Sequence, residues 1–339
     1  MIGENPEQTG ERPKESEIQL PSEPTSWIEC DSCESCTEAI KNAKSGEGIK
    51  LIKNIKARKN CIDNPNNFNN IIFDCQGYII EGDYAVPKIT EWNNRTQTEK
   101  SYIAVHGIYL EGKSMNTIKN CVIANFRWGI RLFNSSNNIL MNNAVSSNNN
   151  DGIKLYYLSN NNILANNIAN SNSGSGISVV SSSNNILANN TAISNNLGIH
   201  LSHSSNNSLM NNTASSNENG ISLFASSNNN TLINNTASSS NKHGIYLHLY
   251  SNNNTLIGNT ASSNTWNGIY SDYSSSSSNL IKNIVCSNSK GDIYQDFKPH
   301  SQTHEIYMDK PSSQGYNNTC DKTVSFNDEG TTGCTYKCP

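Results

Sequence analysis

Eight Gly-Ile pairs recur at nearly constant spacing through the middle of the chain. They begin at Gly107, Gly129, Gly152, Gly176, Gly198, Gly220, Gly244 and Gly268. Neighbouring pairs are 22, 23, 24, 22, 22, 24 and 24 residues apart, and a weaker copy begins at Gly291. A fixed period of this size is typical of a solenoid, in which each repeat buries its apolar face only against the next repeat.

Each repeat carries three apolar positions. In the first, Ile and Leu are two residues apart, as in Ile221 and Leu223, which places both side chains on one face of a strand. The second position is a column of leucines: Leu140, Leu164, Leu187, Leu209, Leu232, Leu256 and Leu280. The third holds small apolar residues: Val145, Ala169, Ala192, Ala214, Ala237, Ala261 and Val285. Since no repeat contains a helix-length amphipathic run, we predict an all-β fold: a right-handed parallel β-helix with three short strands per turn.

An asparagine column supports the same fold. It consists of Asn143, Asn167, Asn190, Asn212, Asn235, Asn259 and Asn283. Amide side chains stacked about 4.8 Å apart can form hydrogen bonds along the column, as in an Asn ladder. Asn also tolerates the left-handed backbone of tight turns. The alternative is a disordered Ser/Asn-rich linker, which would not keep the Leu and Gly-Ile columns in phase.

Two stretches carry a family resemblance. The segment 226–237, Ser-Ser-Asn-Asn-Asn-Thr-Leu-Ile-Asn-Asn-Thr-Ala, and the segment 267–270, Asn-Gly-Ile-Tyr, resemble the β-helix repeats of NosD-type proteins. That group is similar to the wider class of carbohydrate-binding proteins and sugar hydrolases that share a pectin-lyase-like helix. The resemblance spans roughly residues 48–296. It is specific for the fold and not for an activity, because the repeat encodes the coil rather than a site.

Composition divides the chain into four segments. Residues 1–25 are rich in Pro, Glu and Thr and are predicted to be a disordered tether. Residues 26–47 are predicted to form a Cys-rich N-terminal cap whose short helix covers the open end of the coil. The β-helix is predicted over 48–296, with residues 84–101 looping out of an early turn. A small Cys-containing C-terminal cap is predicted over 297–339.

The chain has ten cysteines, placed mainly toward its two ends. They are Cys30, Cys33, Cys36, Cys61, Cys75, Cys121, Cys286, Cys320, Cys334 and Cys338. An even number in this arrangement favours disulfides in an oxidising compartment, although spacing does not give the connectivity. The alternatives are a zinc or iron–sulfur site at the first three cysteines, or free thiols.

Two groups of outward-facing side chains are candidate carbohydrate sites. The first patch is Tyr109, Trp128, Arg131, Phe133, Asp151, Lys154 and Tyr156. The second patch is His243, Tyr246, His248, Tyr270 and Asp272. Exposed aromatic rings can stack on the apolar face of a sugar while charged groups bind its hydroxyls. The alternative is stacking of rings between adjacent turns, which stabilises the sheet without any ligand.

Acidic residues are scarce in the repeats. Between 104 and 285 they are Glu111, Asp151, Glu218 and Asp272. Glycoside hydrolysis needs two carboxyl groups about 5 to 9.5 Å apart, and these four lie on separated turns or in different columns. We therefore predict no catalytic residues. A polysaccharide lyase or glycoside hydrolase remains the alternative.

Metal binding is an alternative function. The NosD resemblance implies a link to copper-site maturation, for which imidazole or sulfur ligands are required. His200 and His203 are close in sequence, and His243 and His248 share a turn, but no Met or Cys column accompanies them. A calcium loop formed by acidic residues near 321–329 is a second alternative. The prediction is no cofactor, with copper or calcium as alternatives.

Charge and hydropathy exclude two classes of partner. The formal net charge is −4 without a basic stripe, which argues against nucleic acid. No apolar run approaches the roughly 18 residues of a membrane helix, and no signal peptide is recognisable, which suggests a removed leader. We predict an extracellular, cell-surface or periplasmic protein that binds polysaccharide or surface glycan, or serves as an envelope component, without catalysis. Its tether would provide attachment to the envelope. A copper-handling periplasmic factor is the third alternative.

Overall fold

The computed structural model describes residues 23–82, 106–272, 274–296 and 313–339. In chain order the described elements are β1 (Trp27–Cys30), α1 (Cys33–Asn42), β2 (Gly48–Leu51), β3 (Ile55–Ala57), β4 (Ile62–Asp63), β5 (Ile72–Asp74), β6 (Ile79–Gly82), β7 (His106–Glu111), β8 (Thr117–Lys119), β9 (Val122–Ala124), β10 (Trp128–Phe133), β11 (Ile139–Met141), β12 (Ala144–Ser146), β13 (Ile153–Tyr156), β14 (Ile163–Ala165), β15 (Ile168–Asn170), β16 (Ser175–Val180), β17 (Ile186–Ala188), β18 (Leu197–Ser202), β19 (Ser208–Met210), β20 (Asn219–Phe224), β21 (Thr231–Ile233), β22 (Ile245–His248), β23 (Thr255–Ile257), β24 (Asn267–Ser271), β25 (Asn279–Ile281), β26 (Gly291–Gln295), β27 (Gln314–Tyr316) and β28 (Thr323–Val324). Short strands predominate, and the helix is confined to the N-terminal end.

These strands form three parallel sheets that run the length of the molecule. Sheet 1 has 12 strands in the order β1-β2-β5-β8-β11-β14-β17-β19-β21-β23-β25-β27. Sheet 2 has 11, in the order β4-β7-β10-β13-β16-β18-β20-β22-β24-β26-β28, and sheet 3 has five, in the order β3-β6-β9-β12-β15. In each sheet a strand pairs with its counterpart one turn later, so the predicted parallel β-helix is confirmed.

The strands of sheet 3 become shorter along the chain. After β15, sheet 3 continues as single parallel bridges from Ile168 to Thr191, Thr213, Thr236 and Thr260. The prediction of three strands per turn therefore holds for the early turns, while the later turns keep only one paired residue at this position. In those turns the inward residue at this position is a small apolar one of the third column, such as Ala192 or Val285, both of which are fully buried.

The predicted columns form a narrow core. Leu209, Leu232 and Leu256 are in register on β19, β21 and β23, and all three are fully buried. Each Gly of a Gly-Ile pair lies where neighbouring turns come closest: a Cβ at Gly220 would stand 2.5 Å from the carbonyl oxygen of Gly244. Because the core is only a few side chains wide, turns dominate the composition and the hydrophobic fraction is only 34%.

Buried asparagines form hydrogen-bonded ladders parallel to the axis, as predicted. Asn212 is 1% exposed, and its Nδ2 donates to Oδ1 of Asn235 at 2.9 Å and to the carbonyl of Leu187 at 2.8 Å. Its Oδ1 accepts from the backbone N and from Nδ2 of Asn190, both at 2.9 Å. The amide thus satisfies backbone groups at the bend, where the sheet ladder cannot.

The main ladder ends on a buried carboxylate. Its last amide, Asn318, donates its backbone N to Asp328 Oδ2 at 2.8 Å and its Nδ2 to Oδ1 at 2.6 Å. Thr335 adds donors from its backbone N and its hydroxyl, both at 2.8 Å from Oδ2. Every amide of the ladder points its NH₂ group toward this end, so a negative charge is favoured there.

Other asparagines occupy left-handed turns. Asn166, Asn189, Asn211 and Asn234 follow strands of sheet 1 with φ between 52° and 55°. This backbone region is strained for most residues and tolerated by Asn, so the predicted turn role of Asn is confirmed.

Disulfides hold both ends of the coil. The pairs are Cys30–Cys36, Cys33–Cys61, Cys75–Cys121, Cys286–Cys338 and Cys320–Cys334. The predicted disulfides are confirmed. The zinc or iron–sulfur alternative at the first three cysteines is wrong, because all three sulfurs are bonded to sulfur.

The two ends are built differently. Helix α1 begins at an N-cap with a capping box between Ser32 and Ser35, and its Ile40 is fully buried against the first coil. At the other end β27 and β28 add to sheets 1 and 2, so the coil continues into the segment predicted as a cap. Most of the predicted tether and all of the predicted loop 84–101 lie outside the described residues. None of the described helices is long and apolar enough to cross a membrane.

Candidate functional site

The outer face of sheet 2 carries the first patch. Strand pairing aligns Tyr109, Arg131 and Lys154 on three successive turns. Phe133 and Tyr156 lie side by side in the neighbouring column. The register of β7, β10 and β13 therefore brings the predicted residues together.

Arg131 lies among three aromatic rings. Its guanidinium carbon is 5.0 Å from the centroid of Trp128, 5.6 Å from that of Tyr156 and 5.7 Å from that of Tyr109. Each of these contacts is a favourable cation–π interaction. The rings thereby fix the position of a long side chain that would otherwise be mobile.

The buried His106 completes this group. Its ring stacks on Tyr109 at 4.8 Å and on Trp128 at 5.1 Å. Desolvation, reinforced by the charge of Arg131, lowers the pKa of His106 to about 4, so the ring is neutral at pH 7. Nη1 of Arg131 is 3.4 Å from Nε2 of His106. Because a guanidinium can only donate, Nε2 has to accept.

Arg131 therefore keeps its positive charge uncompensated. Within the described part of the chain, no carboxylate lies within ion-pair distance of it. Its Nε is buried without a hydrogen-bond partner there. A positioned guanidinium with spare donors is suited to bidentate binding of a carboxylate or another planar anion.

Lys154 and Asp151 form an ion pair. Nζ of Lys154 is 2.9 Å from Oδ2 of Asp151, and Oδ1 of Asp151 accepts from the backbone N of Ser175 at 2.9 Å. Asp151 is 5% exposed. Both of its oxygens have protein partners, so a sugar-binding role for Asp151 stays a prediction that needs displacement of Lys154.

The rings of the first patch are less exposed than predicted. Tyr109, Trp128, Phe133 and Tyr156 are all half-buried, because rings on turns about 4.8 Å apart cover one another. A more exposed ring next to this patch is Tyr157, which stacks on Phe133 with centroids 5.5 Å apart. Sequence reasoning missed it, since it belongs to the turn after β13 and to no outward column.

The second patch is an aromatic cluster around His243. This ring is 4.9 Å from Tyr246, 4.6 Å from Tyr270 and 5.3 Å from Trp266. Burial, with smaller contributions from nearby lysines, lowers the pKa of His243 to about 4. Burial also raises the pKa of Tyr246 to about 12 and raises the pKa of Tyr270. The predicted residues are again brought together, and Trp266 is an addition.

His248 and Asp272 form the polar edge of the second patch. Nδ1 of His248 is 2.6 Å from Oδ2 of Asp272, an ion-pair distance without hydrogen-bond alignment. Asp272 also accepts from the backbone N of Leu249 and from the backbone N and hydroxyl of Ser274. It is buried; this carboxylate therefore organises the adjoining turn.

Comparison with known proteins places the chain in a family. The family model described as "Periplasmic copper-binding protein (NosD)" matches residues 32–214 and 197–337. The chain belongs to the NosD family. No match is found among curated proteins.

Solved structures share the fold of this NosD-family protein. The periplasmic alginate epimerase AlgG is 14% identical, with 93% of this chain and 83% of that chain covered and a TM-score of 0.61. The A-module of mannuronan C-5 epimerase AlgE6 from Azotobacter vinelandii is 14% identical, with 91% and 88% covered and a TM-score of 0.68. The pectate lyase Pel9A is 15% identical, with 87% and 72% covered and a TM-score of 0.55. At these identities the likeness concerns the fold alone.

The acidic residues of the repeats have separate partners. Glu111 accepts from the hydroxyl of Tyr109 at 2.8 Å, and Glu218 pairs with Lys242. Asp151 and Asp272 are engaged as described above. If any of these four carboxyl groups acted as a general acid or base, it would have to leave the contact described here.

The predicted metal ligands are spread out. The ring of Tyr246 lies 4.9 Å from both His243 and His248. His200 belongs to β18, whereas His203 lies directly after the end of that strand, in a left-handed bend with φ 49°. Over the described ranges, no three His, Cys, Asp or Glu side chains are grouped to hold a metal ion. The prediction of no cofactor, with copper or calcium as alternatives, stays untested.

Two residues predicted for calcium have other contacts. Asp328 ends the main asparagine ladder, and Oδ1 of Asp321 accepts from the backbone N of Cys338 at 3.1 Å. Glu329 is exposed.

Proposed function

We propose that this NosD-family protein binds an acidic polysaccharide, one that contains uronate sugars, on the outer face of sheet 2. The observation that carries the proposal is the state of Arg131. Three rings and a neutral histidine hold its guanidinium, and no described carboxylate balances its charge. A sugar carboxylate would supply the missing counter-charge, and the half-buried rings would contact the sugar.

Stacking between turns is the competing explanation of the patch. It accounts for Phe133 on Tyr156, which are two rings in register with centroids 5.5 Å apart. It does not account for a guanidinium packed among rings beside a histidine whose pKa is lowered to about 4. Desolvating a charge without an anionic partner is costly, and an anionic ligand would offset that cost.

The proposal favours binding without turnover. The solved structures that share the fold are named as enzymes of alginate, mannuronan and pectate. The similarity of this chain to them extends only to the fold. In this chain each acidic group of the repeats already has a protein partner. An enzymatic role on the same acidic polysaccharide is therefore an outcome that the experiment must separate.

Copper has no part in the proposed function, although the family description names it. All ten cysteines are in disulfides, and the described histidines do not converge with other ligands. These side chains do not fit a copper site. The five disulfides support an oxidising compartment, and we propose the periplasm or the cell exterior.

The test is calorimetric titration with trisaccharides of galacturonate and mannuronate, and with a neutral trisaccharide. Wild type is expected to bind the uronates and not the neutral sugar. Arg131→Gln keeps a donor for His106 but removes the charge, and should weaken binding roughly 10- to 100-fold, the value of one charge-assisted contact. The control Lys282→Asn removes one positive charge from sheet 1, at a left-handed position where other turns carry Asn, and should bind like wild type.

Three results would contradict the proposal. They are equal affinity for neutral and acidic sugars, equal loss of affinity in both variants, and absence of binding. Formation of shortened, unsaturated or epimerised products by wild type would instead establish an enzyme.

A further inference from the structure

The second patch repeats the plan of the first, six turns further along the same face. We propose that it is a second anion-binding subsite, centred on Trp266, and that both subsites bind one long acidic glycan. This inference rests on the proposed function and extends it to the chain length of the ligand.

The first patch shows the arrangement that the second is compared with. The buried His106 stacks on Tyr109, three residues later, and on Trp128 of the following turn. The exposed Arg127 covers that indole with its guanidinium carbon 4.3 Å from the ring centroid. The result is a half-buried indole between a neutral histidine and a surface cation.

The second patch has the same kinds of side chain, but its indole is shifted: Asn267 occupies the position of Trp128, and Trp266, one residue earlier, meets the histidine edge-on rather than stacked. The buried His243 contacts Tyr246, three residues later, and Trp266 of the following turn. The ammonium group of the exposed Lys290 is 3.7 Å from the centroid of Trp266, and that of Lys242 is 5.3 Å from it.

The lysines differ in how their charge is balanced. Lys242 is paired with Glu218. Lys290 has no carboxylate partner within the described ranges, and its contact is the indole face. Lys290 is therefore the group of this patch that a ligand anion would bind. The position that corresponds to Arg131 is occupied by Tyr270. Counting ion pairs among the described residues alone, the second subsite offers Lys290 as a cation without a carboxylate partner, where the first offers Arg127 and Arg131.

Geometry allows one ligand to reach both subsites. Strands β7 and β22 belong to sheet 2 and are six strand steps apart, or roughly 29 Å at about 4.8 Å per step. Five positions of the Arg131 column lie between these two strands: Arg131, Lys154, Ser178, His200 and Ser222, of which Ser178 and Ser222 are small. A linear polysaccharide that follows this column would pass the larger side chains Lys154 and His200, with Phe224 beside His200.

Two linked contacts give an affinity that depends on chain length. Once one end of a glycan is bound, its other end meets the second subsite at an effective concentration in the millimolar range, which raises affinity by about 10²- to 10⁴-fold over one contact. Chains too short to span both subsites gain nothing. The proposal therefore predicts a step in affinity with length, at the length that bridges about 29 Å.

The experiment titrates an oligogalacturonate series from the trisaccharide upward. The proteins are wild type, Lys290→Gln, Trp266→Ala and the control Lys282→Asn, which lies on the neighbouring turn of sheet 1. Wild type and control should show at least a 100-fold gain between short and long chains. In both patch variants the gain should disappear, while the trisaccharide still binds at Arg131. Lys290→Gln changes only an exposed side chain, so the test does not depend on the folding of Trp266→Ala.

Two results would overturn the inference and leave the proposed function intact. One is an affinity independent of chain length with an Arg131-dependent trisaccharide site. The other is an unchanged length dependence in Lys290→Gln. If the trisaccharide fails to bind at Arg131, the proposed function itself is wrong.

Discussion

Replacing Asn212 by alanine tests whether the asparagine ladder holds the coil together. The substitution removes two acceptor contacts, to the backbone N and Nδ2 of Asn190, and two donor contacts, to Leu187 and Asn235. Of the four groups that lose a hydrogen-bond partner, three keep another partner or can move toward one. The backbone N–H of Asn190 is left buried with no other described acceptor.

The expected loss of stability follows from these contacts. An orphaned buried donor costs about 1 to 3 kcal/mol, and each of the other lost hydrogen bonds about 1 kcal/mol before relaxation. Because the three other groups recover most of that loss through their remaining partners or by small shifts, we expect Asn212→Ala to lower the free energy of unfolding by roughly 2 to 4 kcal/mol.

Urea denaturation followed by circular dichroism measures the loss, and hydrogen exchange at the Asn190 amide locates it. The matched control is Asn241→Ala, an exposed asparagine outside the left-handed turns, which should change stability by less than about 0.5 kcal/mol. The reasoning is refuted if both variants lose the same stability, or if the Asn190 amide keeps its protection.

Three further perturbations have predictable outcomes. Asp328→Asn places an NH₂ group against donors such as Nδ2 of Asn318, and should cost roughly 1 to 3 kcal/mol in urea denaturation. The pKa of His243 is near 6.5 in the unfolded chain and about 4 in the folded protein. Its contribution to the free energy of unfolding is therefore fully present above about pH 6.5 and is lost, by roughly 3 kcal/mol, as the pH falls toward 4. Between pH 7 and pH 4, His243→Gln should lose that much less stability than wild type. Replacing Cys75 and Cys121 by alanine opens a loop with a sequence separation of 46, and should cost roughly 4 kcal/mol by chain entropy.

Two of these perturbations have a matched control variant, and His243→Gln is compared with wild type. Glu329→Gln changes an exposed acidic residue next to Asp328 and should leave the free energy of unfolding, measured in urea, unchanged. Opening Cys30–Cys36, with a sequence separation of 6, should cost only about 2 kcal/mol by the same relation. Equal effects of the two disulfides, an Asp328→Asn variant as stable as wild type, or identical acid profiles for wild type and His243→Gln would contradict these expectations.

The repeat predicted the fold because its constraints are local and periodic. Each Gly-Ile pair, Leu and Asn recurs once per turn, so the period alone aligns Leu209 under Leu232 and Asn190 under Asn212. The alignment of Arg131 with Tyr109 and Lys154 followed from the same count. Features set by the period were therefore accessible from the sequence.

Features that occur once were not accessible. The pairing of Cys33 with Cys61 depends on how helix α1 folds over the first coil, which no spacing encodes. The burial of His106 depends on rings from two turns closing over it. Asp328 looked like a calcium ligand, whereas it ends the asparagine ladder, because its position is set by the last turn of the coil.

The most direct test of the central claim is a crystal structure of the protein with a bound uronate trisaccharide. We predict the sugar on the outer face of sheet 2, with its carboxylate oxygens about 2.7 to 2.9 Å from the guanidinium nitrogens of Arg131. A trisaccharide bound at saturation on sheet 1, or one that lies on sheet 2 with its carboxylate turned away from Arg131, would contradict it.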